Sequence, residues 1–126
     1  MRLTAAFFAN HAEVVDNMLN VEGAFWASTT VAPNATAFRC DAVVLCDTEP
    51  DDVGDEFTLV VDSEGPSGRL APFSQTFSVT GESLFICMPA TVLPVEAGGG
   101  YHRYRFRLDG QHEFVEVRLA VRLSFS

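Results

Sequence analysis

Lysine is absent from this chain of 126 residues, so eight arginines stand against seventeen acidic residues. The net charge of −9 favours solubility and repels polyanions, which argues against nucleic acid and anionic membrane as partners. Cysteine is scarce: Cys40, Cys46 and Cys87 make an odd count with no C-x-x-C pair. On one regular strand Cys40 and Cys46 would face the same way about 20 Å apart, too far for a disulfide. Buried free thiols in a reducing compartment are therefore expected. No apolar run approaches the roughly 18 to 20 residues of a membrane-spanning helix. The opening MRLTAAFFANHA imitates a signal peptide, but its apolar part is short and it reads as a first strand. A cytoplasmic location is expected, with a virion as the alternative.

What remains is apolar and β-prone. The 48% hydrophobic content supports a folded core. Helical periodicity is nearly missing, and short runs rich in Val, Phe, Leu and Thr alternate with Pro, Gly, Asn and Asp clusters. The pattern predicts strands at Arg2–Ala9, Leu19–Trp26, Thr36–Asp47, Glu56–Ser63, Phe73–Val79, Ser83–Met88, Tyr101–Leu108 and Glu113–Phe125. Turns fall at Asp16-Asn17, Thr80-Gly81 and Asp109-Gly110, among others. CMPATVLPVEAGGG, with a proline at each end of its apolar part, is expected to be a long extended connection. The fold class is all-β: one domain over residues 1–126, an antiparallel β-sandwich of seven or eight strands.

Five of the eight arginines crowd into YHRYRFRLDGQHEFVEVRLAVRLSFS. Alternation puts Tyr104, Phe106 and Leu108 on one face of the first arm, with Arg103, Arg105 and Arg107 on the other. In the second arm Val115, Val117, Leu119, Val121, Leu123 and Phe125 form an apolar row, with Glu116, Arg118 and Arg122 opposite. A two-residue Asp109-Gly110 turn would pair Arg103 with Glu116, Tyr101 with Arg118 and Arg105 with Phe114. A four-residue loop keeps the same faces but sets Arg103 against Arg118, which looks unfavourable. Tyr101, Arg103, Arg105, Arg107, Phe114, Arg118 and Arg122 form the candidate protein-interaction face, weighed against a plain wet sheet face.

The segment Asp41–Glu64 holds nine acidic residues and no basic one. Asp47, Glu49, Asp51, Asp52 and Asp55 offer hard oxygen ligands suited to Ca²⁺, yet their spacing does not fit an EF-hand, and a solvated turn is the plainer reading. His11, His102 and His112 lack metal-ligand spacing. No G-x-S-x-G elbow occurs, and Gly98–Gly100 is followed by no G-K-[ST]. Cysteines on apolar strands have their thiol pKa raised rather than activated. No catalytic residue and no cofactor is assigned.

The stretch LTAAFFANHAEVVDNMLNVEGAFW resembles the opening of an uncharacterised bacterial family of small β proteins, marked by ADHA-x-V, G-K-L-x-V and G-G-x-W motifs. Ala9, His11, Ala12, Val14, Leu19, Val21, Gly23 and Trp26 match; Asn10 and Asn17-Met18 depart from the pattern. The resemblance implies an all-β sandwich and no activity. Structural roles are expected for His11, Gly23 and Trp26, with Asn10 and His11 satisfying backbone groups at a corner.

The function expected is a non-catalytic protein-interaction or assembly module, a component of a phage particle or a bacterial defence assembly. Its partner would be another protein or a second copy, making a homo-oligomer. The alternatives are a small-ligand-binding β-barrel, lined by some of the eleven phenylalanines, and a Ca²⁺-dependent binding domain.

Overall fold

Alternation in the sequence becomes two β-sheets that share one core. The computed structural model describes residues 1–80 and 85–125. Its strands are β1 (Arg2–Val15), β2 (Met18–Ala24), β3 (Ser28–Val31), β4 (Ala37–Asp47), β5 (Glu56–Gly65), β6 (Gly68–Arg69), β7 (Phe73–Ser78), β8 (Phe85–Pro94), β9 (Gly100–Leu108) and β10 (Phe114–Leu123). A single 3₁₀ turn, Pro50–Asp52, is the only helical piece among the described residues. One sheet has the order β2-β1-β4-β8. The other runs β3-β10-β9-β5-β6, with β7 also paired to β5. All pairings are antiparallel except β3 with β10. Neither sheet closes into a barrel, which corrects the barrel alternative.

The described strands number ten, against the seven or eight expected. Strand β1 runs straight through the expected corner, to a two-residue turn in which Asp16 (φ 52°) and Asn17 (φ 62°) are both left-handed. That is the turn whose twist suits a tight hairpin, and Asp and Asn tolerate it. The expected connection after Met88 is instead the second half of β8, an edge strand where prolines cost no ladder hydrogen bond. Residues 83 and 84 of the strand expected at Ser83–Met88, and Gly81 of the Thr80–Gly81 turn, lie outside the described residues.

The shared core draws Phe8, Phe38, Val44 and Met88 from one sheet and Leu59, Val61, Tyr104, Phe106, Leu108 and Leu119 from the other. Phe8 sits edge-on to Phe38 and Tyr104 at 5.7 and 5.5 Å, a geometry that aromatic quadrupoles favour. Buried polar groups in this core are mostly satisfied. Tyr104 donates its hydroxyl to Pro94 O at 2.8 Å, and burial pushes that phenol well above the ordinary tyrosine range. His102, fully buried, accepts the Glu96 N–H at Nε2 and donates from Nδ1 to Gly100 O, each at 2.9 Å. Among the described residues the Ser63 hydroxyl is the buried side-chain group without a partner.

A second, smaller cluster of Phe7, Ala9, Ala12 and Val43 is buried apart from the first. Phe7 and Phe8, like Val43 and Val44, are sequence neighbours in different clusters, so this one lies on the outer face of the four-stranded sheet.

Candidate functional site

The outward side chains of β9, β10, β5 and β6 build one polar face on the six-stranded sheet. Its register is not the one a tight Asp109-Gly110 turn would impose. Arg107 pairs with Phe114, Arg105 with Glu116 and Arg103 with Arg118, one full step from the expected pairs. The loop 109–113 is longer than two residues, and Gln111 N–H closes on Leu108 O at 3.0 Å. The inward rows are unchanged, because a shift of two keeps every side chain on its face.

The Arg103–Arg118 juxtaposition is relieved from the side. Glu116 uses one carboxylate oxygen for Arg105 Nε (3.1 Å) and the other for Arg118 Nε (2.9 Å). These two cations hold its carboxyl below the usual range, Arg118 having the larger effect. Arg107 Nε donates to Asp62 at 2.8 Å, which raises the guanidinium further. Arg105 lies over the Phe114 ring at 5.1 Å, so that expected contact exists as a diagonal rather than a direct pair. Arg69, Arg103 and Arg122 form no ion pair among the described residues. Tyr101 and Phe114 are 69% and 51% exposed.

Alternation assigns Arg69, Arg103, Arg105, Arg107, Arg118 and Arg122 to this face, with Glu56, Asp62, Glu64 and Glu116. Six cations less four anions leave +2 on these strands, on a chain of −9, with Asp109 of the adjoining loop 3.8 Å from Arg107. A groove of about 400 Å³ crosses the face, lined by Arg69, Arg105 and Arg107 together with Asp62 and Glu64, and walled by Leu70, Pro72 and Phe114. A smaller one of about 270 Å³ shares Glu64 with it and is lined by Tyr101, Arg103 and Arg118. Arg69 and the Leu70–Pro72 wall carried no signal in the sequence, since the two-residue β6 hairpin that brings them over is too short to show periodicity.

The acidic segment is arranged differently. Asp47 pairs with Arg2 at 3.0 Å, and Asp52 with the Met1 amino group at 2.9 Å. Asp52 also accepts the Glu49 N–H, and this bond is the main reason its carboxyl lies below its ordinary range. Asp51 and Glu49 border the same hollow, while Asp55 meets Val79 through its backbone only. Among the described residues no three acidic, His or Cys side chains converge into a group able to hold a metal ion.

The remaining sequence candidates meet near one corner. Gly23 is left-handed (φ 60°), and a Cβ there would collide with the Asn10 side chain. The Trp26 indole N–H donates to Gly23 O at 2.8 Å while its ring meets Phe8 edge-on. The backbone there is satisfied by a residue the sequence did not offer. Asp41 of β4 accepts Ala12 N–H at 2.8 Å and Ala90 N–H at 2.9 Å, whereas Asn10 and His11 were expected to serve. His11 stands 3.7 Å from both Glu13 and Asp41. His112 is exposed in the 109–113 loop. No disulfide joins the three cysteines, and burial raises each thiol, that of Cys40 to about 12. No helix among the described residues is long and apolar enough to cross a membrane. No protein-family model matches the chain, and no curated protein shows significant similarity to it.

Proposed function

We propose that this chain is a non-catalytic interaction and assembly module, a β-sandwich whose arginine–aromatic face takes an acidic protein segment. The observation that carries this reading is the +2 face on a −9 chain, with a groove and two exposed aromatic rings. Rim arginines without an internal carboxylate supply orientation and association rate, and aromatic rings supply contact area. The non-catalytic part rests on chemistry: the thiols are raised by burial, and both His102 ring nitrogens are already engaged. The acidic partner segment is taken to resemble this chain's own residues 47–56, so a neighbouring copy within an assembly is a natural source.

The test is fluorescence anisotropy with a labelled peptide of residues 47–56. Binding is expected to weaken between about 0.02 M and about 0.5 M salt, as screening requires. Arg69→Glu with Arg103→Glu, neither of which breaks an internal ion pair, should abolish it. A peptide that binds this double variant as tightly as the unaltered protein would refute the reading.

A further inference from the structure

Three neighbouring strands of the four-stranded sheet lack the alternation that β9 and β10 keep. Ala5–Ala9, Ala42–Cys46 and Phe85–Met88 are apolar at every position. Uninterrupted apolar runs are what a sheet covered on both faces requires. One face meets the six-stranded sheet. The other carries Phe7, Val43 and Cys87 in one cross-strand row and Leu45 beside Phe85 in the next. Leu45, Phe85 and Cys87 remain half-buried. Phe25, stacked on Phe7 at 4.5 Å, is 71% exposed. Its φ of 60° is a conformation that a bulky side chain holds only under strain. In the single chain that strain holds an apolar ring in water.

We infer that this face is a two-fold interface between two copies of the chain. The inference uses a different face from the arginine groove and does not depend on it. Charge selects the occupant. Over the stretch where β1, β4 and β8 pair, the outward charged residues are Arg2, Arg39, Asp41 and Asp47, which sum to zero on a chain of −9. Two copies meeting here escape much of the repulsion that opposes contact elsewhere. The order of those charges then fixes the orientation. Along β4 the outward positions are Arg39, Asp41, Val43, Leu45 and Asp47, so Arg39 and Asp47 lie about 13 Å on either side of Val43. A two-fold axis crossing β4 at Val43 runs the two β4 strands antiparallel and sets Arg39 against the partner's Asp47, twice, each Asp47 also holding Arg2 of its own chain at 3.0 Å. Parallel strands would oppose like charges instead. Arg39 forms no ion pair within its own chain among the described residues. The axis follows the Phe7–Val43–Cys87 row, so Cys87 lies opposite the partner's Cys87, across sheets that the Phe25 rings stacked on Phe7 keep wider than the usual spacing of about 10 Å. That gap is too wide for a disulfide and is spanned by a bismaleimide.

Sedimentation equilibrium of the full chain between about 1 μM and about 100 μM tests this directly. The unaltered protein should be dimeric over that range and should crosslink through Cys87, the other two cysteines being buried. Arg39→Asp, and Asp47→Arg made together with Arg2→Asp so that the internal pair is kept, should each weaken the dimer at least tenfold and lose the crosslink. Combining them should restore both. Phe25→Gly, which relieves the left-handed backbone, should weaken the dimer while raising the melting temperature of the monomer. A protein monomeric throughout the range would overturn the inference and give the face to another partner. So would a dimer that the separate charge reversals leave intact, or one that the combined reversal fails to restore.

Discussion

Asp41 is where two irregularities of the four-stranded sheet meet. Strand β8 carries one extra residue between Met88 and Thr91, with Ala90 left-handed (φ 56°), and the β1–β4 ladder stops at the Ala9–Asp41 pair. Each irregularity leaves an N–H without a ladder partner, and each N–H finds a different oxygen of the same carboxylate. The Ala90 bond is the main cause of the lowered carboxyl pKa of Asp41, joined by the Ala12 bond and the nearby His11 and Arg39. A carboxyl whose folded pKa lies below its unfolded value stabilises the fold above the unfolded value and loses that contribution as pH falls through the folded one. Asp41→Ala should therefore cost about 2 to 4 kcal/mol at neutral pH by urea denaturation. The deficit should shrink in acid below the ordinary carboxyl range. Asp41→Asn should help little, since an amide offers one oxygen to two donors. Gly23 is the second residue whose identity is dictated by backbone. Gly23→Ala combines a left-handed φ with a collision against Asn10 and should cost about 1 to 3 kcal/mol. Gly23 is legible in the sequence as a motif position. Asp41 is not, because nothing in one strand's sequence announces a bulge in its neighbours.

At the scale of elements, what was legible is what has a period. The inward row Tyr104, Phe106, Leu108 and, in the second arm, Val117, Leu119 and Val121 are buried as alternation requires, with Val115 and Leu123 half-buried; Phe125, expected in the same row, lies past the end of β10 and is 81% exposed. Leu119→Ala, in a fully buried site, should cost about 2 to 5 kcal/mol, whereas Arg118→Ala should cost at most about 1 kcal/mol. Register was less legible. Shifts of two preserve every face, so choosing between them fell to charge pairing, and the pairwise rule could not see one glutamate serving two arginines. A double-mutant cycle separates the registers. Arg105→Ala with Glu116→Ala should show coupling of about 0.2 to 1 kcal/mol, and Arg103→Ala with Glu116→Ala none. Coupling to Arg103 instead would restore the tight turn. Strands β3 and β6, of four and two residues, were missed because no period can be read in so few positions. The outer cluster is hidden for the opposite reason: Ala42–Cys46 is apolar throughout, and a run without alternation does not say what lies on either face of its sheet.

The whole molecule divides its charge by surface. The outer face of the six-stranded sheet holds +2, the outward positions of β1, β4 and β8 where they pair hold zero, and the rest of the chain makes up the balance of −11. The two outer faces are thus the places where an acidic chain can be approached, one by a negative partner and the other by its own copy. A positive groove should respond steeply to salt, whereas an apolar face flanked by two ion pairs should respond weakly and tolerate salt that abolishes the first. The reversals should therefore be separable. Arg69→Glu with Arg103→Glu should end peptide binding and any association beyond the dimer while leaving the dimer itself intact, whereas Arg39→Asp should dissociate the dimer and leave peptide affinity within about twofold. Loss of both activities in either variant would mean that the faces are not independent, and that a single surface carries the association of this protein.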